Sequence, residues 1–185
     1  KTGLGKLVLN NTSTFQGGIV LNAGTLLLGG PAGTDAQVLP GFTDNPNSFI
    51  TVNGGLLQLL NDGASSTSVI SYANTRVVTG SGASGLNLQI GPNGGSNVLN
   101  IIELGSLEMS AGQILNLAST GTYSMRIDAL LTGTQTSTIP VRINTGTGMS
   151  VTIYDYGAMR PINIGLGTLI FPDVFSIGTG APVLS

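Results

Sequence analysis

Apolar residues in this chain come in short bursts, separated by Gly, Asn, Ser and Thr. The series opens with KLVL at 6–9, GIVL at 18–21, TLLL at 25–28, FITV at 49–52 and LLQLL at 56–60. It continues with RVV at 76–78, LNLQI at 86–90, VLNII at 98–102, SLEM at 106–109 and QILNL at 113–117. YSMRI at 123–127, IPVRI at 139–143, SVTIY at 150–154, PINI at 161–164 and TLIF at 168–171 complete it. Within LNLQI, Leu86, Leu88 and Ile90 share one face while Asn87 and Gln89 share the other, which is the period of a strand. Helical spacing fails by contrast. Almost every ten-residue window holds a Gly or Pro, and each Gly costs a helix interior about 1 kcal/mol relative to Ala. The pattern predicts an all-β chain of many short strands.

The corners between bursts share a theme. LNAGTLLL at 21–28 aligns without a gap with VNGGLLQL at 52–59, and GSL at 105–107 and GTL at 167–169 echo its Gly-x-Leu end. Asn and Gly tolerate left-handed backbone and so let a strand turn sharply into another sheet. A corner returning every 20–30 residues or so suits the coils of a solenoid. A sandwich or jelly roll is the competing architecture, but aromatic anchors are only 5% and there is no Trp. The expected fold is therefore a parallel β-helix of roughly seven or eight coils, three short strands to each, 35–40 Å long. The stretch 29–48, GGPAGTDAQVLPGFTDNPNS, interrupts the rhythm with three prolines and is expected to project as a loop. GSGASG at 80–85 and GPNGGSN at 91–97 read as shorter corners. No boundary divides the chain, so residues 1–185 are expected to form one solenoid domain, a piece of a longer protein.

Composition narrows the picture. The chain is 41% hydrophobic yet 8% charged, with 29 Gly, so small uncharged polar groups must make its surface. Apolar content argues against disorder. A net charge of -2 with scattered basic residues leaves no footprint for nucleic acid, and no apolar run is long enough to span a membrane. There is no Cys, which removes disulfides and thiolate chemistry. This balance suits an exported bacterial protein, placed outside the cell or on its surface.

The opening stretch, GLGKLVLNNTSTFQGGIVLNAGTLLLGG, resembles the passenger-associated repeat of bacterial autotransporters and related β-strand repeat proteins. The matching positions are Lys1, Gly3, Gly5, Leu7, Leu9, Thr14, Phe15, Gly17, Gly18, Asn22, Gly24 and Leu26. The match covers about the first thirty residues. The resemblance implies a right-handed parallel β-helix, exported through the envelope and displayed or released, with no catalytic residue in the repeat. Leu7 and Leu9 would point inward together, Gly17 and Gly18 would allow a tight bend capped by Phe15, and Asn22 and Gly24 would turn the next strand.

Candidate chemistry is thin. There is no His, so His-based catalysis and the commonest metal ligand are absent. Carboxylate pairs for glycoside hydrolysis would have to come from Glu103 with Glu108 or Asp35 with Asp44. A calcium-dependent lyase would draw on Asp128, Asp155 or Asp173 with Arg126, Arg142 or Arg160, whose spacing would stack the arginines on neighbouring coils. TDNPNS at 43–48 offers Asp44, Asn45 and Asn47 to a cation but lacks the acid count of a calcium loop. No catalytic, cofactor or metal site is expected. The chain reads as a structural or adhesive element, a stalk or adhesion scaffold. Its candidate interaction loop holds Asp35, Phe42, Asp44 and Phe49. Its partners would be neighbouring coils, a host or matrix surface, or identical subunits joined end to end in a fibre. A polysaccharide lyase or hydrolase on a β-helix is the remaining alternative.

Overall fold

The computed structural model describes residues 1–11, 17–30, 33, 49–131, 139–156, 162–165 and 167–171, with the backbone alone at 156, 163 and 164. Fourteen strands occur there and no helix. They are β1 (Lys6–Leu9), β2 (Ile19–Leu21), β3 (Thr25–Leu28), β4 (Phe49–Val52), β5 (Leu56–Leu60), β6 (Val69–Thr79) and β7 (Gly85–Gly91). The second half comprises β8 (Ile101–Glu108), β9 (Ile114–Ser119), β10 (Ser124–Leu131), β11 (Val141–Thr145), β12 (Ser150–Tyr156), β13 (Ile162–Ile164) and β14 (Thr168–Ile170).

Odd-numbered strands form one seven-stranded sheet and even-numbered strands the other. Every strand pairs in parallel with the strand two places along, as in β3 with β5 and β6 with β8. A chain that alternates between two parallel sheets and advances one rung each time is a β-solenoid. We call the two faces the odd sheet and the even sheet.

The register makes the core a set of ladders. In the odd sheet Leu7, Leu26, Leu57, Leu88 and Leu117 stand in one row, and Leu9, Leu28, Leu59 and Ile90 in another. In the even sheet Ile70, Ile102, Met125 and Val151 line up, as do Ile50, Val77, Leu107 and Leu130. All but Leu7 and Leu9 are buried. Each inward side chain thus rests on its counterpart one rung away, and apolar burial of about 1.5–3 kcal/mol per large side chain repeats along the axis.

The expected coil count needs correction. The register advances by 31, 31, 29 and 28 residues from Asn22 to Asn53, Gln58 to Gln89, Asn87 to Asn116 and Asn116 to Asn144. The first step is shorter, at 19 residues from Lys1 to Val20. Each turn carries two strands, not the expected three. Of the six steps joining the seven odd-sheet strands, four are full-length and the outer two are shorter, at 19 and 21 residues. The chain therefore makes about four full turns rather than the expected seven or eight. Burst and strand do not always coincide, because strands bend without breaking. VLNII and SLEM both feed β8, whose burial alternates through Ile102 and Leu104 and then skips to Leu107. β10 shifts phase in the same way between Ile127 and Leu130. β6 does so across Ala73 and Asn74, where its pairing with β8 slips. A Cβ on Gly105 would strike the carbonyl of Ala73 at this corner, so the close approach requires glycine.

Turns elsewhere follow the repeat. Gly24 and Gly55 occupy successive coils with φ of 78° and 87°, and a Cβ on Gly55 would sit 2.5 Å from the Gly24 oxygen. Buried amides tie other corners. Asn100 Nδ2 donates to the Asp62 carbonyl and to Tyr123 Oη, each at 3.0 Å, and Tyr123 Oη donates to the Asn61 carbonyl at 3.0 Å. The corners expected at 80–85 and 91–97 lie between β6 and β7 and between β7 and β8. Of the stretch 29–48, only Gly29, Gly30 and Gly33 fall within the described residues. No helix among those residues is long and apolar enough to cross a membrane.

Candidate functional site

Charge gathers on the outer face of the even sheet. Arg76 Nη2 meets Glu108 Oε2 at 2.6 Å, and Arg126 Nη1 meets Glu103 Oε1 at 2.9 Å. Each guanidinium also lies over a ring on a neighbouring rung: Arg76 over Phe49 at 5.5 Å and Arg126 over Tyr154 at 5.0 Å. Parallel pairing produces these contacts directly, since Glu103 faces Arg126 across β8 and β10, and Phe49 faces Arg76 across β4 and β6. Asp128 sits beside this group, its carboxyl raised above the ordinary range first by burial and then by Glu103, with Arg126 opposing.

Glu103 and Glu108 thus face cations, not each other across a cleft. Glu103 and Glu108 each hold an arginine. Arg126 lies in the even sheet and Arg142 in the odd, so the expected stacking of these two fails: a spacing of 16 residues is about half a turn here. Asp155 is exposed opposite Ala129. Among the described residues no group of three or more acids, histidines or cysteines could hold a metal. Asp35, Phe42, Asp44, Asn45, Asn47, Arg160 and Asp173 lie outside the described residues, as do Thr14 and Phe15. Phe49, from the candidate interaction loop, is the first residue of β4 and half-buried beneath Arg76.

The other repeat residues are placed as follows. Leu26 is buried in its ladder; Leu7 shares that row but is 40% exposed, because no described rung lies beyond it. Leu9 packs partly against the core. Gly3 and Gly24 adopt left-handed φ, while Gly5, Gly17 and Gly18 are exposed. Asn22 accepts a 2.7 Å bond from Asn53 Nδ2, and its own N–H donates to the Lys1 carbonyl at 2.9 Å.

Sequence reasoning overlooked the uncharged face. On the odd sheet, Asn116 Nδ2 donates to Asn87 Oδ1 at 3.0 Å, and Asn144 Nδ2 donates to Asn116 Oδ1 at 3.1 Å. Gln58 Nε2 donates to Gln89 Oε1 in the neighbouring row. The asparagines line a shallow concavity of about 330 Å³ that ends at Gly146. Gly146 also borders a deeper one of about 460 Å³, set where the chain turns from the odd sheet to the even sheet. Its walls carry Ser119, Thr122, Ser124, Thr147 and Ser150, with Leu99 at the lip. Leu99 is 58% exposed with φ at 60°, a conformation that strains a leucine; its N–H is held by Thr122 Oγ1 at 3.1 Å. The recurrence of LNL at 86–88 and 115–117 was the available signal for the amide row. Nothing in sequence marks the corner, which three separate segments build.

The chain matches no protein-family model, no curated protein and no solved structure.

Proposed function

We propose that this chain is a non-enzymatic stalk or adhesion scaffold of a bacterial surface or secreted protein, akin to an autotransporter passenger. The observation that carries this reading is the continuity of the ladders. Inward leucines and isoleucines, and outward amides, run from rung to rung along the stack, while both arginines of the even sheet are held in ion pairs with Glu108 and Glu103. Such a body resists bending and spends its side chains on stacking. The opening repeat supplies the link to exported passengers. Deleting residues 34–47 in a surface-displayed copy is expected to leave folding intact and to reduce attachment to a host or matrix surface. Attachment unchanged by the deletion would remove that loop from the reading.

A second reading, a subunit of an extracellular fibre, is favoured by the end rung. Leu4, Leu7, Val8 and Val20 expose 93%, 40%, 45% and 46% of their surface there, beside an unpaired strand edge among the described residues. An open parallel edge invites another strand. Sedimentation of the purified chain over a wide concentration range decides between the two, since growing rods support the fibre and a persistent monomer the stalk.

A further inference from the structure

We propose that the two concavities meeting at Gly146 form one cleft that binds a neutral polysaccharide. The proposal rests on the adhesive reading above and names its ligand class. Three observations support it.

The lining is chemically selective. Neither concavity is bordered by a charged side chain, whereas Arg76, Glu103, Glu108, Arg126 and Asp128 gather on the even sheet. Arg142 is on the same outward face, two residues before Asn144, but does not border the cleft. A polyanion would find no row of cations here, and a cation no carboxylates.

The groups present suit sugar hydroxyls. An amide has two N–H donors and two oxygen lone pairs. The bond between neighbouring asparagines uses one of each, so exposed Asn116 keeps an N–H and a lone pair beyond those two bonds. The row repeats these at the strand spacing of about 4.8 Å, a regular comb for a polymer of similar units. Beyond Gly146 the corner continues with hydroxyls, and strained Leu99 presents an apolar surface to the C–H face of a ring. A peptide strand is the poorer fit. The odd-sheet backbone beneath the asparagines is already paired in the ladder, so it has no free edge for strand addition.

The size is adequate. The concavities measure about 330 and 460 Å³, each within the range of roughly 300–1,000 Å³ typical of ligand pockets.

Gly146 allows a clean test. A Cβ there meets no atom within 4 Å, and its φ is not left-handed, so Gly146→Trp should fill the junction without disturbing the fold. Gly82, at a corner bordering neither concavity, is equally open, and Gly82→Trp is the control. The purified chain is run in native gels cast with hydroxyethylcellulose, galactomannan or xyloglucan, and in a gel cast with alginate. Retardation is expected in at least one neutral gel and not in alginate. Gly146→Trp should weaken it at least tenfold, with an unchanged thermal melt, while Gly82→Trp behaves as the parent. Retardation in no neutral gel, retardation in alginate alone, or equal retardation of Gly146→Trp would overturn the proposal. Cells displaying the chain that still adhere in that event leave the adhesive reading standing. Neutral-gel binding without adhesion overturns the adhesive reading instead.

Discussion

Asn100 shows how much one side chain can hold in a repeat this short. It is fully buried; its Oδ1 accepts the Ser68 N–H at 2.8 Å while its Nδ2 bridges Asp62 and Tyr123. Asn100→Ala would leave the Ser68 amide and the Asp62 carbonyl without these partners. At about 1–3 kcal/mol for a buried group deprived of its bond, a loss of about 2–3 kcal/mol is expected in urea denaturation. Asp128 works in the opposite sense. Burial, then Glu103, raises its folded pKa above the unfolded value of about 3.9, with Arg126 opposing. The native state then binds more protons than the unfolded state between those two values. Its favourable contribution is therefore present below about pH 3.9 and lost as pH rises through the folded value. Asp128→Asn should accordingly gain stability relative to the parent at pH 7 and lose that advantage near pH 3. Paired denaturation curves at the two pH values test this.

At the scale of the element, position in the stack decides what a leucine is worth. Leu88 and Leu7 share one ladder, but Leu88 is 1% exposed between two rungs and Leu7 is 40% exposed at the end. Leu88→Ala should cost about 2–5 kcal/mol, transfer and cavity terms together. Leu7→Ala should cost about 1 kcal/mol or less, because little of its surface leaves water. Denaturant midpoints of the two variants check the contrast. The same ladder explains what could be read in advance. Alternation within LNLQI and the matching corners at 21–28 and 52–59 are local signals, and they gave the all-β solenoid directly. The length of β6 was hidden, because Ala73, Asn74 and Thr75 interrupt its apolar pattern just where the backbone bends. The conformation of Leu99 was hidden as well. A leucine carries no turn signal, and what holds it is Thr122, in a different coil.

The whole molecule is nearly one-dimensional. Each coil touches chiefly its two neighbours, so stability is a sum of coils and interfaces and not the property of one central core. That is why the amide row, though overlooked, had a signal in the spacing while the cleft had none. Asn87, Asn116 and Asn144 repeat with the coil, but the junction at Gly146 joins the face to a corner that occurs once.

The parallel stacking of β3, β5, β7 and β9 has a mechanical consequence. Tension applied through the two ends would peel one rung at a time from the stack, as a zip opens. Each full turn of 28–31 residues should release about 100 Å of slack, at 3.3–3.6 Å per extended residue. Single-molecule stretching should then give a sawtooth of about four regular teeth near that spacing. One tall rupture would mean that the coils yield together. If the teeth appear, the protein lengthens under load in fixed increments and takes up a pull without letting go all at once.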